Sequence, residues 1–391
     1  MRVLIIGVGT RGDVAPYTGL GARIRAAGHE VAIAAHAPYA GLVTDAGLEF
    51  RELPGDPAAL LGTRNPAAFS AYAGRVVDGI VDAATAGADL LLLGVSASAG
   101  YHVAEAMGIP SMGVHLQPVE PTGDFPPVMG AFRRSLGRWG NRAAARLLFA
   151  APSPAHSGSA RKLRARLGLA PMSSRAVYRR RESSRWPVFH GYSPSVLPRP
   201  ADWRTGLEVT GYWWPAPRPG WAPPGDLAAF LDAGPPPVFV GSGSHAGRFT
   251  DLALAALRRA GLRGVLQTGV EGHLADGVLG VGEVPHEWLF PRMSALVHHA
   301  GAGTTAAGLR AGVPAVTMPV WGDQPLWARR LWLLGAAPAP LAGRVTPQRL
   351  ARAMADAGAC RTRAEEIAGV IAAEDGAAPV VEAVEHACIT S

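Results

Sequence analysis

Two stretches of this chain share one design: a short aliphatic run, a glycine-rich turn, then residues of helical composition. Arg2–Ile6 leads into Gly7-Val8-Gly9-Thr10-Arg11-Gly12-Asp13, and Leu296–His298 leads into His299-Ala300-Gly301-Ala302-Gly303-Thr304-Thr305. A strand that is apolar on both faces must be covered on both, as in a parallel sheet between helical layers. The same alternation predicts strands at Val31–Ala35, Leu90–Leu93 and Ser111–His115, with a helix over Pro16–Ala27 stopped by Gly28. It resumes with strands at Val238–Val240, Gly264–Gln267 and Ala315–Met318, and helices at Asp251–Arg259, Thr304–Ala311 and Gln324–Leu334. Between the two series lies GYWWPAPRPGWAPPGD, residues 211–226, whose prolines can continue neither a helix nor a central strand. The expectation is an α/β protein of two doubly wound domains, residues 1–212 and 226–391, joined by a stiff linker at 213–225. They would face each other across a cleft at the carboxyl edges of their strands.

A length of 391 residues exceeds what one core usually serves, and 48% apolar residues are ample for two. Gly (49) and Pro (34) are abundant but have no period, which excludes collagen-like and low-complexity sequence. Cys360 and Cys388 stand outside any CxxC or Cys/His cluster. Neither a disulfide framework nor a zinc site is expected, and a reducing cytoplasm fits. The first apolar run is about five residues, too short for a signal-peptide core. No run of about 18 apolar residues occurs, so no membrane span is expected. The net charge of +7 is uneven, since residues 131–200 hold fifteen Arg/Lys against one acid, Glu182. Its clusters, Arg161 to Arg166 and Arg179 to Arg181, suit a solvated helical surface or a weak contact with an anionic membrane. No nucleic-acid module accompanies them, and no nucleic-acid partner is expected.

The first glycine loop satisfies GxGxxG, so a dinucleotide site of an NAD(P)-dependent oxidoreductase has to be weighed. That use needs an acid at the end of the second strand to hold ribose hydroxyls. Here the strand ends Ala34-Ala35-His36, and Glu30 stands before it. What the loop offers instead is a carboxylate, Asp13, beside a ligand crevice, with Thr10 and Arg11 placed to meet a phosphate. The structural alternative is an Asp13 N-cap ahead of a helix containing Pro16.

The second loop is richer. A strand ends in His298 and His299, and glycines 301 and 303 with Thr304 and Thr305 open a helix. Glycines let backbone approach an anion, and a helix N-terminus adds free N–H groups and a favourable dipole. A tight strand–helix turn with a threonine cap would explain the same residues structurally. Two neighbours favour a ligand: the small-residue turn Gly241-Ser242-Gly243-Ser244, and Asp323-Gln324 after another strand. An acid–amide pair can both accept and donate to a hydroxyl-rich ligand. Phosphate donors and a hydroxyl-binding pair on one rim suggest a sugar phosphate.

At this point the chain resembles the GT-B glycosyltransferases of the UDP-glycosyltransferase superfamily (glycosyltransferase family 1). It is most similar to the branch of bacterial sterol glucosyltransferases and glycopeptide or polyketide tailoring enzymes. The likeness rests on GTRGDVAP at 9–16, GYSPSVLPRPADW at 191–203, VTGYWW at 209–214 and the forty-seven residues 284–330, which contain HHAGAGTT and WGDQ. It implies a GT-B architecture of two Rossmann-like domains. The N-terminal one would bind a small lipophilic acceptor and the C-terminal one a nucleotide sugar, with the last helix free to pack back on the N-terminal domain.

The resemblance also implies roles. Asp13 takes the position of the catalytic base. His299, Gly301, Gly303 and Thr304 match the diphosphate site, with Ser244 approaching the same phosphates. Val284 matches the backbone site for the base, and Asp323 and Gln324 match the pair that binds sugar hydroxyls. Two departures stand out. Ala300 replaces a glycine, which is tolerable unless that residue needs a positive φ. The stacking tryptophan of plant relatives falls near Glu283, and Trp288 reads as a packed core aromatic.

The implied reaction inverts the anomeric centre. Asp13, with an ordinary pKa of about 3.9, accepts the acceptor's proton, Asp323 being the second candidate base. No D-x-D triplet occurs, so no metal and no cofactor are expected. The expected substrates are a UDP- or dTDP-hexose and a polyketide, macrolide or peptide aglycone. The alternatives are a sterol or lipid glucosyltransferase at a membrane surface and a non-catalytic auxiliary protein. The acceptor pocket falls among residues 55–80 and 120–150, with Phe125, Trp139 and Phe149 as candidate lining. A monomer or a homodimer fits equally.

Overall fold

The structure is a computed structural model that describes residues 1–57, 65–128, 134–150, 154–241 and 248–390. Ser244 lies outside these residues, as does the side chain of Phe149.

The N-terminal half contains strands β1 (Arg2–Ile6), β2 (Glu30–His36), β3 (Glu49–Leu53), β4 (Leu90–Leu93), β5 (Ser111–His115), β6 (Val188–His190) and β7 (Leu207–Val209). They form one parallel sheet in the order β3-β2-β1-β4-β5-β6-β7. Its helices are α1 (Arg11–Ala26), α2 (Ala40–Asp45), α3 (Pro66–Thr85), α4 (Ala99–Met107), α5 (Gly137–Ala150), α6 (Pro154–Arg166) and α7 (Ser174–Ser183).

The C-terminal half contains β8 (Val238–Gly241), β9 (Gly264–Gln267), β10 (Gly272–Ala275), β11 (Val278–Gly280), β12 (Ala295–His298) and β13 (Ala315–Thr317), in the order β10-β11-β9-β8-β12-β13. Among the described residues only the β10–β11 pair is antiparallel. The helices here are α8 (Gly225–Asp232), α9 (Arg248–Ala260), α10 (His286–Leu289), α11 (Ala302–Arg310), α12 (Gln324–Leu333), α13 (Pro347–Ala357), α14 (Arg361–Ala372) and α15 (Ala378–Thr390).

The two doubly wound sheets are those the aliphatic runs imply, and each reverses its winding at one point. The reversals fall between β1 and β4 and between β8 and β12. Loops diverge there and leave a crevice, so the two glycine loops sit where a doubly wound sheet binds ligands.

Some elements escape the periodicity. β3, Glu-Phe-Arg-Glu-Leu, is mostly charged because it is an edge strand, and β6 and β7 are three residues each. α1 begins at Arg11, five residues before the expected start, so Pro16 lies inside the helix and Asp13 is its third residue. Thr10, not Asp13, is the N-cap.

The segment between the sheets is docked rather than free. Tyr212 and Trp213 are buried, and the Ala216 amide donates to Thr18 Oγ1 on α1 (3.0 Å). A Cβ on Gly19 would stand 1.7 Å from the Trp214 carbonyl oxygen, so only glycine lets the segment cross α1 here. Beyond the second sheet the chain returns. Val380, Val384 and Ala387 of α15 join the cluster of Val14, Tyr17, Leu20 and Ile24 on α1. The crossing points touch: Trp213 Nε1 donates to the Gly376 carbonyl (2.8 Å), and Gly376 lies against the Gly211 backbone.

The basic stretch is partly spent on structure. Arg164 is fully buried and binds Glu105 (2.6 Å), which also accepts from Arg180 (2.6 Å); Arg181 faces buried Glu120 (3.6 Å). These pairs tie α6 and α7 to α4 and α7 to the segment after β5. No helix among the described residues is long and apolar enough to cross a membrane.

Candidate active site

The first loop is built around one carboxylate. Asp13 Oδ2 accepts from the Thr10 amide (2.9 Å) and from Thr10 Oγ1 (3.2 Å), which ties α1's first turn to its cap. Gly9, at φ +143°, lies directly beneath, and a Cβ there would fall 2.3 Å from the same oxygen. The glycine thus allows the carboxylate to fold back over the turn. Gln117, just past β5, supplies a further side-chain hydrogen bond to Asp13. Burial outweighs all three donors and pushes the carboxyl above its ordinary value. The ordinary aspartate pKa expected from sequence is corrected accordingly. A raised pKa makes Asp13 a better base, while the bonds that hold it fix the direction in which it points.

The second loop faces it. His298 ends β12, and its Nδ1 accepts from the Ala300 amide (3.0 Å). This bond assigns the ring proton to Nε2, and burial drops the ring pKa to about 3, so His298 is a neutral strut. Ala300 has φ +61°, the left-handed conformation that a glycine would adopt without strain. The alanine is accommodated at a cost of about 1–2 kcal/mol, offset by complete burial of its methyl group. The His299 ring lies over Gly301, where a Cβ would meet Nε2 at 2.6 Å. Gly301 caps α11, whose first internal bond runs from the Thr305 amide to the Gly301 carbonyl (2.9 Å). The amides of Ala302, Gly303 and Thr304 precede that bond and are left without intrahelical acceptors. Three free donors, a helix dipole and an imidazole converge at one point, which is the chemistry of a phosphate site.

Asp323 and Gln324 stand at the start of α12. Gln324 Oε1 accepts from the Val320 and Trp321 amides (2.8 and 3.2 Å), leaving its NH₂ as the free end. Asp323 Oδ2 accepts from Trp327 Nε1 (2.8 Å). Burial, helped by the negative charge of Asp13, lifts its carboxyl to about 6. The charge of Asp13 is thus felt at Asp323.

A cavity of ≈ 400 Å³ runs from these loops toward the linker, with Gly303, Thr304, Val284 and His286 on the C-terminal side and Gly12 and Pro16 on the other. Val284 lies on its wall because Gln267 Nε2 binds the Gly282 carbonyl (2.8 Å) and holds the loop. Arg11 pairs with Glu283, which also accepts from Arg218 of the linker, so three segments meet at the rim. Arg11 thus has Glu283 as its carboxylate partner at the rim. Trp288 is half-buried, edge-on to Trp221 and beneath Arg292, which is a packing role.

The acceptor candidates separate. Phe125 is buried in the N-terminal core. Trp139 is 92% exposed on α5 and is not part of the ≈ 400 Å³ cavity's lining, because the face of α5 that packs inward carries Asn141 and Ala145. Gln117, Gln267, Arg218 and His286 were missed from sequence; only their positions just past strand ends or inside the proline-rich linker could have marked them.

Comparison with known proteins identifies the family. The glycosyltransferase family 28 N-terminal domain family matches residues 3–119, and the erythromycin biosynthesis protein CIII-like C-terminal domain family matches residues 266–389. O-mycaminosyltylonolide 6-deoxyallosyltransferase of Streptomyces fradiae is 37% identical, the match covering 100% of this chain and 96% of that protein. A sterol 3-beta-glucosyltransferase of Arabidopsis thaliana is 32% identical over 87% of this chain, which spans only 58% of that enzyme. Among solved structures, the glycotransferase of kitacinnamycin has a TM-score of 0.72 at 21% identity, covering 99% of this chain and 98% of that one. VinC in complex with dTDP has a TM-score of 0.67 at 22% identity, covering 99% of each chain. These two establish the fold. The chain belongs to the GT-B glycosyltransferases of the UDP-glycosyltransferase superfamily, hexosyltransferases that use a nucleotide sugar as co-substrate.

Proposed function

We propose that the protein moves a hexose from a UDP- or dTDP-sugar to a hydroxyl group of a lipophilic natural product, a polyketide, macrolide or peptide aglycone, with inversion. The observation that carries this reading is that the first turn of α1, which holds Asp13, and the N-terminus of α11 line one cavity, Gly12 on one side and Gly303 and Thr304 on the other. In it, residues 226–391 hold the donor and 1–212 the acceptor. The diphosphate lies on the amides of Ala302, Gly303 and Thr304 with His299 above. Val284 flanks the base, and Asp323 with Gln324 takes the sugar hydroxyls. Ser244 belongs to the same phosphate set by family position alone. Asp13 accepts the acceptor's proton as its oxygen attacks the anomeric carbon. The leaving diphosphate gains charge where the α11 dipole favours it.

The macrolide-modifying relative supports a macrolide-like acceptor, and the dTDP complex of VinC supports a thymidine donor. The sterol relatives support a sterol acceptor as the second reading. The free thiols of Cys360 and Cys388 fit action in the cytoplasm. The experiment is a screen of UDP- and dTDP-hexoses for nucleotide release, with macrolide, peptide and sterol acceptors in separate arms. Release stimulated by a macrolide or peptide aglycone is expected. Stimulation by sterol alone would transfer the assignment to the second reading, and no stimulated release in any arm would overturn both.

A further inference from the structure

α5 has its amphipathicity inside out. Leu136, Trp139, Ala143 and Leu147 fall on one face at helical spacing, and that face looks outward. Trp139 is 92% exposed, Leu147 68% and Leu136 52%, whereas the opposite face buries Asn141 and Ala145. A charged rim runs along the apolar stripe: Arg134, Arg138, Arg142 and Arg146, with no acid anywhere in residues 134–150. Arg138 reaches Asp124 (2.8 Å) and Arg142 reaches Asp202 (3.7 Å). Arg134 and Arg146 have no acidic partner among the described residues.

We infer that α5 is an interfacial helix that lays Leu136, Trp139 and Leu147 into an anionic lipid surface. A bulky aromatic and leucines flanked by arginines suit the boundary between acyl chains and anionic headgroups. Each arginine near such a surface adds about 1 kcal/mol of attraction. A second copy of the chain fits less well, because a two-fold contact through this face sets Arg134 and Arg146 against the same charges.

The helix is also placed to matter. Its Asn141 Nδ2 donates to the Gly123 carbonyl (3.0 Å), in the segment that begins after β5 and carries Gln117, the partner of Asp13. If the N-terminal domain holds the acceptor, a point that rests on the function proposed above, docking through α5 brings that side of the cleft to the surface in which a lipophilic acceptor dissolves.

The test is co-sedimentation of the whole protein, without donor or acceptor, with vesicles of phosphatidylcholine mixed with phosphatidylglycerol, against phosphatidylcholine alone. Binding to the anionic vesicles that weakens with added salt is expected. Both Trp139→Ser with Leu147→Ser and Arg134→Glu with Arg146→Glu should lower it about tenfold or more. If the serine variant fails to melt like the parent protein, the charge-reversed variant, altered only at exposed side chains, decides. No binding by the parent protein, or undiminished binding by the folded variants, would overturn the proposal. So would a dimer that Trp139→Ser splits while vesicle binding persists. Because no turnover is read, failure of the transferase assignment would leave the result unchanged.

Discussion

Replacing Asp323 by asparagine should stabilise the unliganded protein while weakening its hold on the donor sugar. In the folded chain burial lifts this carboxyl from 3.8 to about 6, so above that pH the native state carries a charge it would rather neutralise. The sign follows directly. Below 3.8 the group is protonated whether folded or not and costs nothing. Between 3.8 and about 6 the penalty grows, and above 6 it is present in full. Two pH units correspond to about 3 kcal/mol at 1.36 kcal/mol each. The residue is only half-buried, so solvent screening leaves about 1–2 kcal/mol. Asparagine keeps an oxygen for Trp327 Nε1 but gives up about 0.5 kcal/mol of attraction to the start of α12. A net gain of about 1 kcal/mol at pH 8 is the result, or roughly 2–4 °C in melting temperature. The assay is thermal unfolding of both proteins at pH 8 and near pH 4, without donor. The gap should close at the lower pH, and the donor KM should rise in parallel. A loss of stability at pH 8, or a gap of equal size at both pH values, would refute the electrostatic argument.

Asp13→Asn should lower transfer by about 10²–10⁴-fold while calorimetry finds nucleotide binding unchanged. In the parent enzyme kcat/KM should fall on acidification with a midpoint above the ordinary carboxylate range, since protonation removes the base. A midpoint near 4 would contradict the burial seen around Asp13. His299→Ala should reduce kcat/KM for the donor by about 10–100-fold through loss of a diphosphate contact, and an unchanged value would reject that contact. Gly19→Ala drives a methyl group into the Trp214 carbonyl and should cost about 2–3 kcal/mol in chemical denaturation. An unaffected midpoint would mean that the linker lifts from α1 without penalty.

The glycine loops and the aliphatic strands were legible in the sequence because their physics is local. A short apolar run between turn residues, such as Leu90–Leu93, reads as a buried strand, and glycines followed by threonines after a strand open the helix α11. What could not be read depends on contacts between distant residues. Thr10 caps α1 because Asp13 folds back over Gly9, which moves the start of the helix and the meaning of Pro16 together. Asp13's raised pKa comes from the surroundings the whole fold provides, and its partner Gln117 sits 104 positions away in no motif. Trp139 shows the reverse error. Aromatic composition in an acceptor-side segment suggests a pocket wall, whereas the inward face of α5 was already occupied by Asn141 and Ala145.

The last helix also carries a consequence for how the molecule is made. Val380, Val384 and Ala387 complete the covering of α1, yet they follow the entire second sheet in the chain. The first half therefore emerges from the ribosome lacking part of its own lid and must wait, with apolar surface bare, until the second half has been synthesised. The apolar face of α1 is thus completed only when these late residues come back to it.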